Sequence, residues 1–239
     1  MKRQASLLGL AARRSLRWVL LLLAVLAVLE TLLFWLAARD FDAGQGYQEL
    51  VRLSGVPLLC GLGFLGLCVL LGLSGSGQPG ARPRYLLARL PVGPRAVFLS
   101  EAGYCAGCFL LFWAAQAVLL LGLGRWFVYA HPADTGPQSL FLAFYLSPFL
   151  HSLLPLAEAS RYIRNILLVL GLGAAAARFS GALRDGKLSL CLPLLAAVTA
   201  AFFGLAGGGL GNDFILSALA LVALVLSLKK GREDGEDEA

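Results

Sequence analysis

The sequence predicts an all-α membrane protein, a six-helix transmembrane bundle with an N-terminal amphipathic helix and an outer interfacial helix. Apolar residues make up 59% of the 239 residues, charged residues only 14%, and the mean hydropathy is +0.78. Ordinary soluble domains carry about a quarter charged residues. Apolar runs near the ~20-residue spanning length follow one another along most of the chain, which leaves no room for a separate soluble domain.

The first element is a basic N-terminal segment, residues 1–17, in which five Lys and Arg residues are interleaved with leucines. Leu7, Leu10 and Ala11 share one helical face, so the segment is expected to lie along the inner membrane surface against anionic head groups. The alternative is a frayed tail whose arginines only set the orientation. The apolar run that follows is long enough to span, which indicates a retained anchor and not a cleaved signal peptide.

Six apolar stretches then form the predicted transmembrane domain, residues 18–228. They are 18–38, 54–73, 97–123, 163–177, 188–206 and 214–228. The fourth stretch is short for a span. A seventh stretch, 139–156, is also apolar, but it contains Pro148, His151 and Pro155 and is at the lower limit of spanning length.

The positive-inside rule decides between six and seven spans. With six spans, all but five of the 20 basic residues lie on the inner side. The five left outside are Arg39, Arg52, Arg125, Arg161 and Arg164. A seventh span would move the basic residues after position 177 outside and level this asymmetry. We therefore expect 139–156 to lie on the outer surface as an interfacial helix, although a broken span kinked at Pro148 and lining a cavity is the alternative.

The six-span topology implies a multi-pass protein of the plasma (inner) membrane with both termini cytoplasmic. The last residues, 229–239, begin with two lysines and end in the acidic run "GREDGEDEA". Such a polar, highly charged run cannot bury apolar surface, so it is expected to be a disordered cytoplasmic tail.

The cytoplasmic loop between the second and third spans contains "RPRYLLARLPVG", residues 82–93. A flexible "SGSGQPG" precedes it, and Pro91 and Pro94 end the short helix predicted for residues 84–90. The product is a brief basic helix at the inner membrane surface. The alternative is an ordinary positive-inside loop, which needs the arginines and no helix.

This arrangement resembles the permease (transmembrane) subunits of ABC-2-type bacterial ABC transporters. The resemblance lies in the basic N-terminal segment, two spans, the loop "RYLLARLPVGPRAVFLSE" and the long third span. It implies that the short helix couples the spans to an ATPase subunit, with Arg84, Tyr85, Arg89, Leu90 and Pro91 as the coupling positions. One departure is that the family places a small outer insertion between its last two spans, whereas the long outer segment here follows span three.

The resemblance also implies the partners: an ABC ATPase subunit that binds ATP, and a second permease chain in a homodimer or heterodimer, besides membrane lipid. This chain has no GxxxxGK[ST] motif, and its "SGSGQPGAR" lacks the lysine and the following Ser or Thr of a phosphate-binding loop. It is therefore expected to be no enzyme and to bind no cofactor itself. Nucleic acid is not an expected partner.

Glu30 and Gln116 are the polar candidates within the spans. Glu30 lies about 18 Å along the first span at 1.5 Å per residue, a depth at which an ionised carboxylate is costly. It should be neutral, paired or facing water, and Gln116 could lie at a similar depth and donate a hydrogen bond to it. One interpretation makes Glu30 part of a substrate or proton path, and the other makes it a contact that packs helices.

Other chemistry is weakly supported. Cys105 and Cys108 form a CxxC without a second one, and the two histidines belong to other segments, so no metal site is expected. An intramembrane enzyme would have only Glu158, Arg161, His131 and His151 as material, without a nearby nucleophile. A scaffold without an energy source is the remaining alternative, and the transport permease is preferred.

Overall fold

The computed structural model describes residues 2–39, 46–74, 93–132, 138–156, 158–184, 186–203 and 209–236. The regular elements in these ranges are all helices. They are α1 Lys2–Arg39, α2 Tyr47–Leu53, α3 Val56–Leu73, α4 Pro94–Ala130, α5 Ser139–Leu146, α6 Pro148–Leu153, α7 Ala159–Arg184, α8 Cys191–Phe202 and α9 Gly209–Glu236. The all-α prediction is confirmed.

Five of these helices are long and apolar enough to cross a membrane, within the part of the chain that is described. They are Ser15–Arg39 of α1, Val56–Leu73, Arg95–Ala130 of α4, Ala159–Arg184, and Leu210–Lys229 of α9. The predicted span at 188–206 is represented by α8, which has only 12 residues. At 1.5 Å per residue α8 is about 18 Å long, against about 30 Å of bilayer hydrocarbon. Five of the six predicted spans therefore correspond to long helices, and the fifth span corresponds to the short helix α8.

The first three long helices alternate in direction. Leu26 and Leu22 of α1 approach Gly63 and Gly66 of α3, so these two helices are antiparallel. In contrast, α1 and α4 are parallel, because contacts from Ser15 to Tyr104, from Glu30 to Gln116 and from Phe34 to Trp126 advance together along both chains.

The last two long helices run parallel to each other. Arg164 meets Asp213, Gly171 meets Ala220, and Arg178 donates to the carbonyl oxygen of Leu226. The chain between them must therefore return across the bundle, and α8 makes this return. Leu192, near the start of α8, lies beside Gly72 together with Phe179, and Phe203, just after α8, lies against Arg164.

Because of these directions, the start of α4 and the ends of α3, α7 and α9 lie at the same end of the bundle. We name this end the basic end. It holds the exposed side chains of Arg17, Arg95, Lys187 and Lys229, together with Arg184. The start of α4 is joined to it through Glu101, which contacts Ser180 and Arg184 of α7. The opposite end holds α2, α5 and α6, the start of α7 and the start of α9.

Several predicted boundaries are corrected by the structure. The N-terminal segment 1–17 is not a separate element, because α1 continues without a break from Lys2 into the span. The fourth predicted span, 163–177, extends to Ala159–Arg184. The predicted disordered tail is also wrong in part, because α9 runs on to Glu236 and only residues 237–239 fall outside the described ranges.

The stretch 139–156 is two short helices and not one interfacial helix. The backbone of Ser147 is extended, as expected for the residue before a proline, and its hydroxyl caps α6 by accepting from the Leu150 amide. An interfacial helix would leave its polar face in water, but His151 and Ser152 are buried, as are Phe144 and Leu153. The break at Pro148 is the part of the broken-span alternative that agrees with the structure.

Glycines permit the closest helix contacts. At Gly173 of α7 a Cβ atom would lie 2.7 Å from the backbone nitrogen of Ala106 in α4, and at Gly171 it would lie 2.7 Å from the carbonyl oxygen of Ala220 in α9. Gly103 and Gly107, a GxxxG on α4, have open space instead. Small residues thus bring α7 against both of its main neighbours.

We expect Gly173→Ala to destabilise the bundle by about 1–3 kcal/mol, the usual effect of overpacking, because backbone atoms of α4 cannot give way as a flexible side chain would. Gly107→Ala is the matched control. Its methyl group meets nothing within 4 Å, so it should leave stability unchanged or raise it slightly through helix propensity. Thermal unfolding in detergent measures both, and equal melting temperatures would contradict the close α4 to α7 contact.

Candidate functional site

The most unusual polar feature is a buried ion pair between α7 and α9. Nη1 of Arg164 lies 2.6 Å from Oδ1 of Asp213. Arg164 is 1% exposed, and it is the largest fully buried side chain among the described residues. A charged side chain in this setting is costly unless it is paired and hydrogen-bonded, so the pair is a candidate functional feature.

Further hydrogen bonds surround Arg164. Its Nη2 donates to Oδ1 of Asn165 at 3.0 Å and to the carbonyl oxygen of Ser152 at 3.2 Å, and its Nε also donates to Oδ1 of Asn165 at 3.2 Å. Nδ2 of Asn165 donates to the same Ser152 oxygen at 2.9 Å. The guanidinium lies 4.9 Å from the ring centre of Phe203. Arg164 therefore joins the last turn of α6 and the residue after α8 to the α7 to α9 contact.

The charges of this cluster balance. Arg161 lies 2.6 Å from Glu158 and 3.7 Å from Asp213, and the hydroxyl of Ser160 donates to Asp213 at 3.4 Å. Together with Arg164, the cluster has two cationic and two anionic side chains. We name these four residues, Glu158, Arg161, Arg164 and Asp213, the outer ion cluster, after the side on which the sequence-based topology expects them. Because its charges compensate one another, it offers no net charge to attract an ionic ligand.

A second buried polar contact joins α1 and α4. Nε2 of Gln116 donates to Oε1 of Glu30 at 3.0 Å, and these side chains are 2% and 0% exposed. Oε2 of Glu30 and Oε1 of Gln116 are buried without a hydrogen-bond partner in the described structure. The two intramembrane candidates from the sequence are thus brought together, and each keeps one unsatisfied acceptor.

An apolar cavity of about 480 Å³ lies between α3, α4, α6, α7 and α8. Large rings form much of its wall, including those of Phe64, Phe112, Trp113, Phe149 and Phe203. Asn165 brings the edge of the polar network to the wall. Leu58 and Leu62 of α3 also line the cavity and are 72% and 57% exposed, so the cavity opens on the outer face of the bundle. In a membrane that face meets lipid.

One hydrogen bond organises this wall. The indole Nε1 of Trp113 donates to the carbonyl oxygen of Leu153 at 2.7 Å, which holds the end of α6 against the middle of α4. Both residues line the cavity. The broken segment α5 to α6 therefore closes the cavity from the opposite end of the bundle.

A third polar contact lies at the basic end. Glu101 contacts Arg184 and accepts from the Ser180 hydroxyl at 3.1 Å. Arg184 also donates to the Ser180 oxygen at 3.0 Å. These bonds join the start of α4 to the end of α7.

The coupling candidates Arg84, Tyr85, Arg89, Leu90 and Pro91 lie outside the described residues. Cys105 and Cys108 are buried as free thiols in the main apolar core. In the described ranges no three His, Cys, Asp or Glu side chains come close enough to share a metal ion. Nδ1 of His151 lies 3.0 Å from the carbonyl oxygen of Tyr145.

Sequence reasoning missed the outer ion cluster. The six-span topology places Arg161 and Arg164 among the five outer basic residues, and the sequence gives Asp213 no role. One feature of the sequence does point to a buried ion pair. Arg164 falls inside the predicted span 163–177, and an ionisable residue within a span needs a partner. Nothing in the sequence alone points to Asp213 as that partner, because 49 positions separate the two residues.

The helices and their buried polar contacts define a helical membrane protein. Its five long apolar helices carry this conclusion. No protein-family model, curated protein or solved structure that was compared with this chain matched it.

We expect Asp213→Asn to destabilise the protein by about 3–5 kcal/mol, because Arg164 is then left buried without a counter-ion. The double variant Arg164→Met, Asp213→Leu should recover much of the lost stability, since no buried charge remains. Melting temperatures in detergent provide the measurement.

The control is Glu49→Gln, which removes the ion pair of Glu49 with the exposed side chain of Arg52. Exposed pairs contribute little, so its melting temperature should match that of the wild type. If Asp213→Asn were also silent, or if the double variant were less stable than Asp213→Asn, the outer ion cluster would not have the role described.

Proposed function

We propose that the protein is the transmembrane permease subunit of an ATP-driven ABC transporter, an exporter of the plasma (inner) membrane. The cavity is the observation that carries this proposal. It combines a volume in the range of ligand sites, about 300–1,000 Å³, with an apolar, aromatic wall and an opening on the lipid-facing surface. A substrate could enter such a site from the bilayer.

The proposal includes six membrane crossings with both termini cytoplasmic. The parallel contact of α7 with α9 supports this number, since the chain must cross once between them. The basic end supports the orientation, because the inner side of a membrane protein carries the excess of Lys and Arg. In this topology α8 is a short crossing helix, extended by the residues on either side of it.

Coupling to a separate ATPase subunit is assigned to the loop containing Arg84, Tyr85, Arg89, Leu90 and Pro91. This loop joins the end of α3 to the start of α4, and both of these helix ends lie at the basic end. Gly72 lies beside Phe179 of α7, and Glu101 is bonded to Ser180. The ATPase subunit would bind ATP, and a second permease chain would complete the transporter.

The proposed substrate is apolar or amphipathic, and the part of it that enters the cavity carries no net charge. Six aromatic rings face the cavity from α3, α4 and α6 and from Phe203. Two residues of the wall, Asn165 and Phe203, contact Arg164 of the outer ion cluster, which is internally balanced. An ionic group placed in the cavity would therefore lose its hydration without gaining a partner.

The enzyme alternative receives no comparable support. Glu158 is paired with Arg161, and the described residues bring no third carboxylate, histidine or cysteine into a common site with them. We therefore propose a chain without catalytic activity of its own.

Coupling can be tested with the triple variant Arg84→Ala, Arg89→Ala, Pro91→Ala. We expect the wild-type protein, purified in mild detergent, to retain a separate ATPase subunit whose ATP hydrolysis depends on the permease. The triple variant should insert and purify normally but lose this dependence, because the contact that transmits the motion is removed. Co-purified protein and ATP hydrolysis are measured together.

The matched control is Lys187→Ala, Lys229→Ala, which removes exposed charge from the same end without touching the loop. It should keep the ATPase subunit and its activity. Recovery of no ATPase with the loop intact would count against the permease proposal, and unchanged coupling in the triple variant would remove the role of the loop.

The cavity can be tested with Trp113 as a fluorescent reporter, after Trp18, Trp35 and Trp126 are replaced by phenylalanine. In vesicles of lipids with brominated acyl chains, a chain that enters the cavity should quench Trp113 strongly. Ala200→Phe places a ring at the cavity wall and should reduce the quenching, because it occupies the same space.

Leu210→Phe is the control, since Leu210 is exposed on α9 and is not among the residues that line the cavity. It should leave the quenching unchanged. Equal quenching in the wild type, the Ala200→Phe variant and this control would mean that lipid chains do not enter the cavity.

A further inference from the structure

The contact between Glu30 and Gln116 lacks one hydrogen-bond donor. Oε1 of Glu30 accepts from Nε2 of Gln116, but Oε2 of Glu30 and Oε1 of Gln116 are both buried acceptors without a donor. A buried polar atom that is left unsatisfied loses its hydration without gaining a protein partner, which destabilises the folded state. The two orphaned atoms belong to the same pair of side chains, so they call for a common explanation.

A single proton supplies the missing donor. An ionised carboxylate only accepts hydrogen bonds, and the oxygen of an amide only accepts. A protonated carboxyl group on Glu30 has one O–H, which can donate from Oε2 to Oε1 of Gln116 while Oε1 of Glu30 accepts from Nε2. The acid and the amide then form a reciprocal pair with two hydrogen bonds, and both orphaned acceptors are accounted for.

The surroundings of Glu30 favour the neutral acid. The side chain is fully buried, and the described structure places no lysine, arginine or histidine in an ion pair with it. Cys60 is the titratable group that faces it from α3, and α4 presents Gln116, which does not titrate. Along α1 the nearest cations are Arg17 and Arg39, about 20 Å and 14 Å away at 1.5 Å per residue.

We propose that Glu30 and Gln116 form a proton-binding site between α1 and α4, in which Glu30 is a neutral carboxylic acid at neutral pH. The bound proton makes the second hydrogen bond of the pair and so fastens the two helices to each other. Its release leaves a buried carboxylate and an unsatisfied amide oxygen on Gln116, which weakens that contact. This proposal concerns the helix contact alone and does not depend on the permease function.

Infrared spectroscopy of the purified protein at pH 7 tests the site. A protonated carboxyl group has a C=O stretching band that is separate from the carboxylate and amide bands and shifts in D₂O. We expect this band in the wild type and its loss in Glu30→Gln. Glu49→Gln, at a partly exposed glutamate of α2, should keep the band.

Two further variants keep the test decisive. Glu30→Gln should fold, because an amide at position 30 can form the same reciprocal pair with Gln116. Gln116→Leu keeps the acid but removes its partner, so the band should move to higher frequency. The exchange variant Glu30→Gln, Gln116→Glu should restore a band near the wild-type position.

The result that overturns the proposal is a wild-type spectrum without a D₂O-sensitive carboxylic acid band, since Glu30 would then be ionised. A band that Gln116→Leu leaves in place would overturn the reciprocal pair. If Glu30→Gln failed to fold, the wild-type band and its shift in Gln116→Leu would still decide between these outcomes.

Discussion

The ion pair between Arg164 and Asp213 is the contact on which the arrangement of the second half of the chain depends. A buried guanidinium needs a counter-ion and further acceptors, and here they come from α9, from Asn165 and from the backbone of α6. Because Arg164 and Asp213 both lie near the start of their helices, the pair sets α7 and α9 parallel. The connection between them must then return across the bundle, which gives the short helix α8 its place.

The buried polar contacts are distributed unevenly among the helices of the bundle. Glu30 with Gln116 joins α1 to α4, and Arg164 with Asp213 joins α7 to α9, so each contact lies within one pair of neighbouring helices. Between these pairs, the basic end is held by Glu101 with Arg184 and by the close approach at Gly173. Toward the opposite end the pairs are separated by the cavity. There the link between α4 and α7 runs through α6, because Trp113 donates to the Leu153 carbonyl oxygen and Arg164 donates to the Ser152 carbonyl oxygen.

The sequence predicts the helices well and their contacts poorly. Apolar run length located all five long helices, because hydrocarbon thickness constrains it directly. The split of 139–156 followed from Pro148 only as an alternative, since proline predicts a break but not what the broken pieces contact. Asp213 was missed because its role depends on the register of α7 against α9. That register is set by the approach of Gly171 to the backbone of Ala220, which no pattern in one sequence encodes.

Two independent observations argue against a membrane crossing within residues 138–156. Charge asymmetry favours six crossings, and it uses only the positions of Lys and Arg. The side-chain contacts are independent of the distribution of Lys and Arg along the sequence. Leu140, at the start of the 138–156 segment, contacts Gly124 near the end of α4, and Glu158, just beyond it, pairs with Arg161 at the start of α7. Both termini of the segment thus lie at the end of the bundle that is opposite the basic end, where Arg184 lies. A seventh crossing would have to separate these two points by the thickness of the bilayer.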